Sequence, residues 1–309
     1  MSRKHSRRAI LAGGASAVLG GLAGCLGQGD DSGEGDRQNN TVDTGPGDTG
    51  SGSSDPASAQ VSFRDWLVAP ELTPGVTGNE DRVYRFEYIP GGFLQQAEQD
   101  RVQGRASVLD IDPAVIEGRL LQLPAVVYFG EFDQPALETA IESADGYTVT
   151  GEYESYRTAE NTETGTQFAL DEQAVLIGRA LEQWIDTQTG TADRLEGTTP
   201  VFTQLFDRVP TNLSVTGQLG PPVTFEADLD SLTAWVSATP RLTAGEAVTQ
   251  RWVYVFDGQP PEDATQAIRQ ELSDSPLLNS ITNTTTDGRF LTVTGELLLP
   301  ESNSADAAD

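Results

Sequence analysis

The chain has 309 residues, with 47 acidic residues against 19 basic ones and a net charge of −28. Its single Met, Lys, His and Cys are Met1, Lys4, His5 and Cys25. If the segment before Cys25 is removed, 15 basic residues face 47 acidic ones, and the product contains no His, Lys or Met and no Cys beyond its first residue. A Ser-His-Asp or Cys-His pair, a lysine Schiff base, and haem or structural zinc ligation are therefore excluded, and we expect no cofactor or metal site.

Residues 1–24 have the features of an export signal: a basic head, a short Gly/Ala-rich apolar run and a small-residue site. The apolar run is too short to span a bilayer. Arg7 and Arg8 resemble the twin-arginine signal, which implies passage through the twin-arginine export machinery. Leu22 to Cys25 resembles the lipobox of secreted lipoproteins, which implies a lipid on Cys25 and attachment to the extracellular face of the cell membrane. The alternative is a buried Cys25 thiol behind an ordinary basic N-terminus.

The acidic excess indicates the solvent in which the protein works. Carboxylates in this number destabilise a compact fold by self-repulsion, and concentrated salt removes much of that repulsion. The composition, acidic and without lysine after Cys25, resembles that of proteins from salt-loving archaea. An ordinary acidic secreted protein is the alternative. Nucleic acid is not expected as a partner, because binding phosphates requires clustered Lys and Arg.

Composition divides the chain after Cys25 into a stalk, a body and a tail. Residues 25–60 are rich in Gly, Asp, Ser, Thr and Asn, and predict a disordered acidic stalk. Residues 61–210 and 211–300 carry regular apolar positions, enough for one large domain or two smaller ones. Residues 301–309 form a short polar tail.

Hydrophobic periodicity and helix-capping signals predict alternating strands and helices through the body. Before Pro210 we predict, in order, a strand at 82–89, a short helix at 112–117, a strand at 125–129, a helix at 134–144, a strand at 147–156, two short strands ending at 178, and helices at 179–189 and 199–208. After Pro210 we predict strands at 213–219, 224–229, 233–238 and 251–256, a helix at 262–272 and a strand at 289–299, with a polar loop at 282–288. The fold class is α+β, with largely antiparallel sheets and helices packed on one face.

An internal sequence repeat favours two related subdomains. Val127-Tyr128, a helix, and Thr148 to Glu152 recur as Val253-Tyr254, a helix, and Thr292 to Glu296. Chance reuse of Thr-Val-Thr in a β-rich sequence is an equal alternative.

A longer pattern covers residues 106–210. Phe168 to Gly178 form a strand pair ending in glycine, a helix with Ile185-Asp186 follows, and a Phe-rich helix ends at Pro210. This pattern resembles bacterial exported proteins of unknown function. The pattern also resembles haloarchaeal lipoproteins, in which an Ile-Asp-Pro segment and a Phe-Asp segment come before it. This chain has the same two segments at 111–113 and 132–133. The resemblance carries no known activity or catalytic residue.

Two further sets of residues bear on surface chemistry. Asn39, Asn212 and Asn283 begin Asn-x-Ser/Thr sequons, which an exported protein can glycosylate where they are exposed, and Asn283 is favoured because of its predicted loop. Four tryptophans could line a ligand groove, but their spacing favours core packing: Trp66, Trp184, Trp235 and Trp252.

These observations favour a membrane-tethered extracellular lipoprotein with a binding or structural role. They favour a protein without enzymatic activity over an enzyme. A cell-surface protein or glycan is the expected partner. Two alternatives stay open: a hydrolase that uses two carboxylates, for which no acid pair has distinguishing spacing, and a solute receptor for a transporter. The regular βαβ repetition of two doubly wound lobes is missing from the pattern, which weighs against the receptor.

Overall fold

The structure is a computed structural model that describes residues 62–70, 84–94, 106–222, 225, 227 and 229–299. In these residues the strands are Arg85–Pro90 (β1), Ile116–Gln122 (β2), Ala125–Gly130 (β3), Tyr147–Tyr153 (β4), Tyr156–Asn161 (β5), Gln167–Leu170 (β6), Ala174–Gly178 (β7), Ser214–Leu219 (β8), Leu232–Thr239 (β9), Ala247–Phe256 (β10), Leu278–Asp287 (β11) and Phe290–Leu298 (β12). The α-helices are Gln134–Ser143 (α1), Glu182–Thr189 (α2), Leu195–Thr198 (α3), Val201–Phe206 (α4) and Glu262–Ser273 (α5).

The strands form one 12-stranded sheet in the order β11-β12-β10-β9-β8-β1-β2-β3-β7-β6-β5-β4. Neighbouring strands pair antiparallel throughout this order. The two halves of the sheet meet where β1 pairs with β8, so Glu87 lies opposite Thr216 although 129 positions separate them in the sequence. The predicted α+β class with a largely antiparallel sheet is confirmed.

Helices cover both faces of the sheet, whereas the sequence led us to expect them on one. We call the face that carries α1 and α5 the front and the face that carries α2, α3 and α4 the back. On β3, Val127 belongs to the apolar cluster under the back helices, and its neighbour Tyr128 belongs to the cluster under α1. Because successive side chains of a strand point to opposite faces, strands with both sets buried need cover on both sides.

Local capping explains where α1 begins. The Asp133 side chain accepts a hydrogen bond from the Ala136 backbone N–H at 3.1 Å, and Pro135 occupies the first turn. Leu137 and Ile141, one helical turn apart, are buried against the front of the sheet.

The first described segment is fastened to the back of the sheet. Residues 63–66 form a 3-10 turn. Arg64 in this turn makes a bidentate ion pair with Glu196, with nitrogen–oxygen distances of 2.7 and 2.5 Å. Arg194 forms an ion pair with Asp65. The segment that follows the predicted stalk is thus part of the body.

Three strands were not predicted: β2, β11, and β5, because the single strand expected at 147–156 turns after Tyr153 and continues as β5. Asp112 does cap a turn, since it accepts from the Ala114 N–H at 2.9 Å, but the turn ends at Val115 and β2 follows where a helix was expected. The predicted polar loop at 282–288 is wrong, because residues to Asp287 belong to β11. The strand expected at 224–229 falls in a stretch of which Phe225, Ala227 and Leu229 are described.

The two copies of the internal sequence repeat have the same structure over a strand and the helix that follows it. Tyr128 and Tyr254 are both buried on the front, and α1 and α5 follow their strands on that face. The final segments differ, since Thr148 to Glu152 lies on edge strand β4 and Thr292 to Glu296 on interior strand β12. The division at residue 210 stays a prediction, and the apolar cluster on the back contains residues from both parts.

Candidate functional site

The sequence-predicted site residues lie partly within the described structure. Arg7, Arg8, Cys25 and Asn39 lie outside the described residues, as do the predicted signal, lipobox, stalk and tail. Asn212 is exposed in the turn before β8.

Asn283 is exposed, but not in the loop that the sequence predicted. It lies on β11, whose residues pair with β12 on one side, at one end of the sheet order. A sequon at this position places any glycan beside a sheet edge. Glycosylation of either described asparagine stays a prediction.

The four tryptophans are buried, which confirms the preference for core packing over an open groove. Trp66 and Trp184 are 2 % and 0 % exposed in the cluster on the back. Trp235 and Trp252 are each 8 % exposed in the front cluster under α5. Trp235 also lies next to a polar side chain, because Gln218 is opposite it on β8.

Polar side chains are concentrated in the middle of the front face. Eight polar or charged residues are buried among those described, and six of them lie on the front of β2, β8, β9 and β10. We call these six residues the central polar row: Arg119, Thr216, Gln218, Ser237, Thr239 and Gln250. Buried polar groups are costly unless hydrogen-bonded, so their concentration needs a physical reason.

The register of the strands brings the row together. Glu87 on β1 lies opposite Thr216 on β8, and Thr216 lies opposite Ser237 on β9. Arg119 on β2 forms an ion pair with Glu87 at 2.5 Å, and the two side chains are 6 % and 12 % exposed. Removing either charge would leave the other buried, so the pair is a fixed polar element on this face.

Gln218 and Trp235 lie directly opposite each other on β8 and β9. Gln218 is fully buried, and its Nε2 donates to the carbonyl oxygen of Pro221. Its Oε1 is buried without a hydrogen-bond partner among the described residues, and the same is true of the indole Nε1–H of Trp235. An unpaired acceptor and an unpaired donor thus lie on neighbouring strands, each at a cost of about 1–3 kcal/mol when left buried. The indole N–H groups of Trp66 and Trp184 on the back are unpaired in the same way among the described residues.

Half-buried Arg85 adds a charged donor beside this pair. It lies opposite Gln218 on β1, and its neighbour Phe86 belongs to the back cluster, so strand alternation puts Arg85 on the front. On the other side, Tyr254 lies opposite Trp235, with ring centroids 6.4 Å apart. Burial raises the pKa of the Tyr254 hydroxyl well above its usual range, so this edge stays neutral.

Cavities in the described part of the chain lie away from the central polar row. A cavity of about 210 Å³ below β4, β5 and β6 is lined by Glu160 and Glu182 together with Thr150, Thr158 and Gln167. Nearby, a hydrogen bond to Asp186, with burial as a second cause, raises the pKa of Tyr153 to about 12.

The second cavity is a shallow depression of about 650 Å³ beside the β11–β12 turn, lined by Gln259, Thr286 and Arg289. Within the described ranges, no three His, Cys, Asp or Glu side chains are grouped so that they could hold a metal ion. In the same ranges, no helix has the length and hydropathy needed to cross a membrane.

No protein-family model and no curated protein matches the chain. The solved structures similar to it include those of TP0453 in crystal forms III and I. The form III structure is 8 % identical with a TM-score of 0.46, and the match covers 76 % of this chain and 93 % of TP0453. The form I structure is 9 % identical with a TM-score of 0.45, covering 78 % and 94 %. A similarity this low supports no inference about function.

Proposed function

We propose that the chain is a membrane-tethered extracellular lipoprotein, adapted to high salt, that binds a small polar ligand at the central polar row. The observation that carries the binding role is the concentration of six buried polar side chains in this row, beside half-buried Arg85. The sequence supports the tether, through Arg7, Arg8 and Cys25, and the acidic composition supports the salt adaptation.

The cost of burying polar side chains explains why this row favours binding over a purely structural role. An apolar side chain at Gln218 would fill the same space without an unpaired oxygen, and buried polar groups generally gain stability only when they are fully paired. A ligand that hydrogen-bonds to side chains of the row would offset part of this cost.

The tether is tested by Cys25→Ser. Without the cysteine no lipid can be attached, so the protein should move from the membrane fraction to the medium, whereas Gly24→Ala, which keeps a small residue before the cysteine, should stay on the membrane. Fractionation of cells grown in molar salt measures both. Retention of Cys25→Ser on the membrane would refute the lipid anchor.

The binding role is tested by thermal unfolding of the full chain in molar KCl with glucose, gluconate, glutamate and glycylglycine as probes. A probe that binds the folded state raises the Tm, by linkage. At least one probe should raise the Tm of the wild type and not that of Trp235→Phe. If no probe raises the Tm, or every probe that does so acts equally on the variant, the row is not a binding site.

The hydrolase alternative has one candidate pair of carboxylates. Glu160 and Glu182 line one cavity, and two carboxylates are the minimum set for hydrolysis of a glycosidic bond. Assays of the wild type and Glu182→Gln on a polysaccharide panel in molar KCl test it. Activity that is lost in Glu182→Gln would support the hydrolase, and absence of activity in the wild type would remove it.

A further inference from the structure

We propose that the cavity below β4, β5 and β6 binds a small organic ammonium ion, with the carboxylates of Glu160 and Glu182 as its charge partners. The cavity has a volume of about 210 Å³ and lies between these strands and the start of α2. It is on the back of the sheet, since its lining residue Thr158 lies opposite Ala169 of the back cluster. The proposal does not depend on the central polar row, which lies on the front.

Strand pairing brings the polar lining residues of the cavity together. Glu160 on β5 lies opposite Gln167 on β6, and Thr158, two residues earlier on β5, is on the same face. The register of β4 shifts at Thr150, whose hydroxyl donates to the Thr158 hydroxyl at 3.0 Å. Glu182, in the first turn of α2, completes the lining from the opposite side. The cavity is thus bordered by two carboxylates, two hydroxyls and a carboxamide.

The lining is negatively charged and carries no compensating base. Among the described residues no arginine lines the cavity, and neither Glu160 nor Glu182 forms an ion pair with any of them. Asp186, one helical turn after Glu182, adds a third carboxylate, which accepts from the Tyr153 hydroxyl at 2.8 Å. Carboxylates drawn partly out of water are stabilised by a positive partner, so a cation matches this lining and an anion does not.

The size of the cavity and its hydrogen-bonding groups favour an organic cation over a metal ion. A water molecule takes up about 30 Å³ in the liquid, so the cavity has room for a molecule of about six or seven non-hydrogen atoms. Carboxylate oxygens only accept hydrogen bonds, and an ammonium group supplies donors. In the described part of the chain, no three acidic, His or Cys side chains are grouped as metal ligands would be. Leu181 and Ile185 provide an apolar wall for the carbon chain of the ligand.

Glu182 has a structural role that must be separated from ligand binding. An acidic residue in the first turn of a helix stabilises the partial positive charge at that end, so Glu182 would be favourable there without any ligand. Glu160 has no such role, because it is half-buried on a strand. Loss of a helix-stabilising charge lowers the Tm, whereas loss of a charge partner lowers the affinity for the ligand. Glu160 therefore provides the more direct test.

Four molecules with the same four-carbon chain separate charge from shape: putrescine, aminobutanol, butanediol and succinate. Titration calorimetry on the full chain in molar KCl measures their affinities. Putrescine and aminobutanol should bind, butanediol should bind at least about tenfold more weakly than putrescine, and succinate should not bind. If butanediol binds as tightly as putrescine, or if neither amine binds, the proposal is overturned.

Glu160→Gln keeps the shape of the side chain and removes its charge. It should weaken putrescine binding about tenfold, and Glu182→Gln, at an exposed position, about threefold. The matched control is Glu172→Gln, which removes the same charge from an exposed position in the β6–β7 turn outside the cavity and should keep the wild-type affinity. If all three variants bind putrescine alike, the amine binds the acidic surface in general, and the assignment to the cavity is wrong. Glu182→Gln keeps this comparison available should Glu160→Gln fail to fold.

Potassium from the solvent is the main competing occupant, because it too is a cation that binds oxygen atoms. The affinity for putrescine should agree within about threefold between molar KCl and molar NaCl. Binding that is strong in NaCl and lost in KCl would assign the cavity to potassium and overturn the organic ligand. Trp235→Phe should bind putrescine as the wild type does, because Trp235 lies in the front cluster. Loss of putrescine binding in that variant would place the amine at the central polar row and not in the cavity.

Discussion

Gln122 allows a sharp test of how the first described segment is held to the sheet. Its side chain, 1 % exposed on β2, accepts from the Val68 backbone N–H at 3.1 Å. Its Nε2 donates to the Val68 carbonyl oxygen and to the Tyr84 hydroxyl, both at 2.9 Å. Gln122→Met removes all three hydrogen bonds and keeps a side chain of similar length and volume.

The magnitude follows from what each atom loses. The Val68 N–H is left buried without its acceptor, at a cost of about 1–3 kcal/mol, and each of the other lost bonds contributes about 0.5–1.5 kcal/mol. The Val68 carbonyl oxygen keeps its bond from the Tyr84 hydroxyl at 2.7 Å, which limits the loss. We expect the free energy of unfolding to fall by about 3 kcal/mol, and the Tm of a domain of this size to fall by about 6–12 °C.

Near-ultraviolet circular dichroism during heating in molar KCl measures the Tm, because Trp66 lies in the segment that Gln122 holds. The control is Gln173→Met, an exposed position in the β6–β7 turn where the same change should leave the Tm within about 1 °C. A Gln122→Met variant that melts with the control would show that the Val68 amide finds another partner, and the reasoning from buried hydrogen bonds would be refuted.

Two further predictions concern alkali and salt. Burial, as the main cause, raises the pKa values of Tyr84, Tyr156 and Tyr254 above the unfolded value of about 10, so the stability from keeping them neutral is complete below about pH 10 and is lost as the pH rises further. Urea unfolding midpoints should be level to about pH 9 and then fall, with tyrosinate absorbance appearing together with unfolding; a level midpoint through pH 11 would contradict the burial effect. The acidic excess predicts that the Tm rises steeply with KCl, as the Debye length shortens from about 30 Å at 0.01 M to about 3 Å at 1 M. Sucrose at equal osmolarity should raise the Tm less, and an equal rise would show that screening is not the cause.

The parts of the fold that local signals specify were predictable from the sequence. The helix α1 begins at its Asp133 cap and Pro135, and α5 occupies the predicted 262–272 with one added residue. Strands β3 and β10 were predicted from their apolar runs, because strands buried on both faces are apolar at nearly every position.

Strands β2 and β11 were missed for opposite reasons. Asp112 and Pro113 form a helix-start signal that the structure uses for a single turn, and the chain then enters β2 at Ile116. In β11, residues on both faces of an edge strand remain largely exposed, so Thr and Asn occupy successive positions without the alternation that identifies a half-buried strand.

The central polar row could not be read from the sequence because it depends on strand order. Thr216 and Gln218 alternate with Val215 and Gly217 on β8, a pattern that predicts a strand with one face in water. They nevertheless are buried, on a strand that β1 joins to β2 in the interior of the sheet, a pairing of segments far apart in the chain. A local pattern shows which residues share a face, but only the tertiary arrangement decides whether that face meets solvent.

The central polar row lies between two apolar clusters on the front of the sheet. On the front, one end of the sheet packs apolar residues such as Phe168 beneath α1, and the other packs Leu291 and Val293 beneath α5. Between these apolar ends, the sheet places carboxamide, hydroxyl and guanidinium groups where further apolar residues would bury at less cost. The unpaired atoms of Gln218 and Trp235 add to this cost, so the centre of the front face is less stable than an apolar sheet surface of the same area would be.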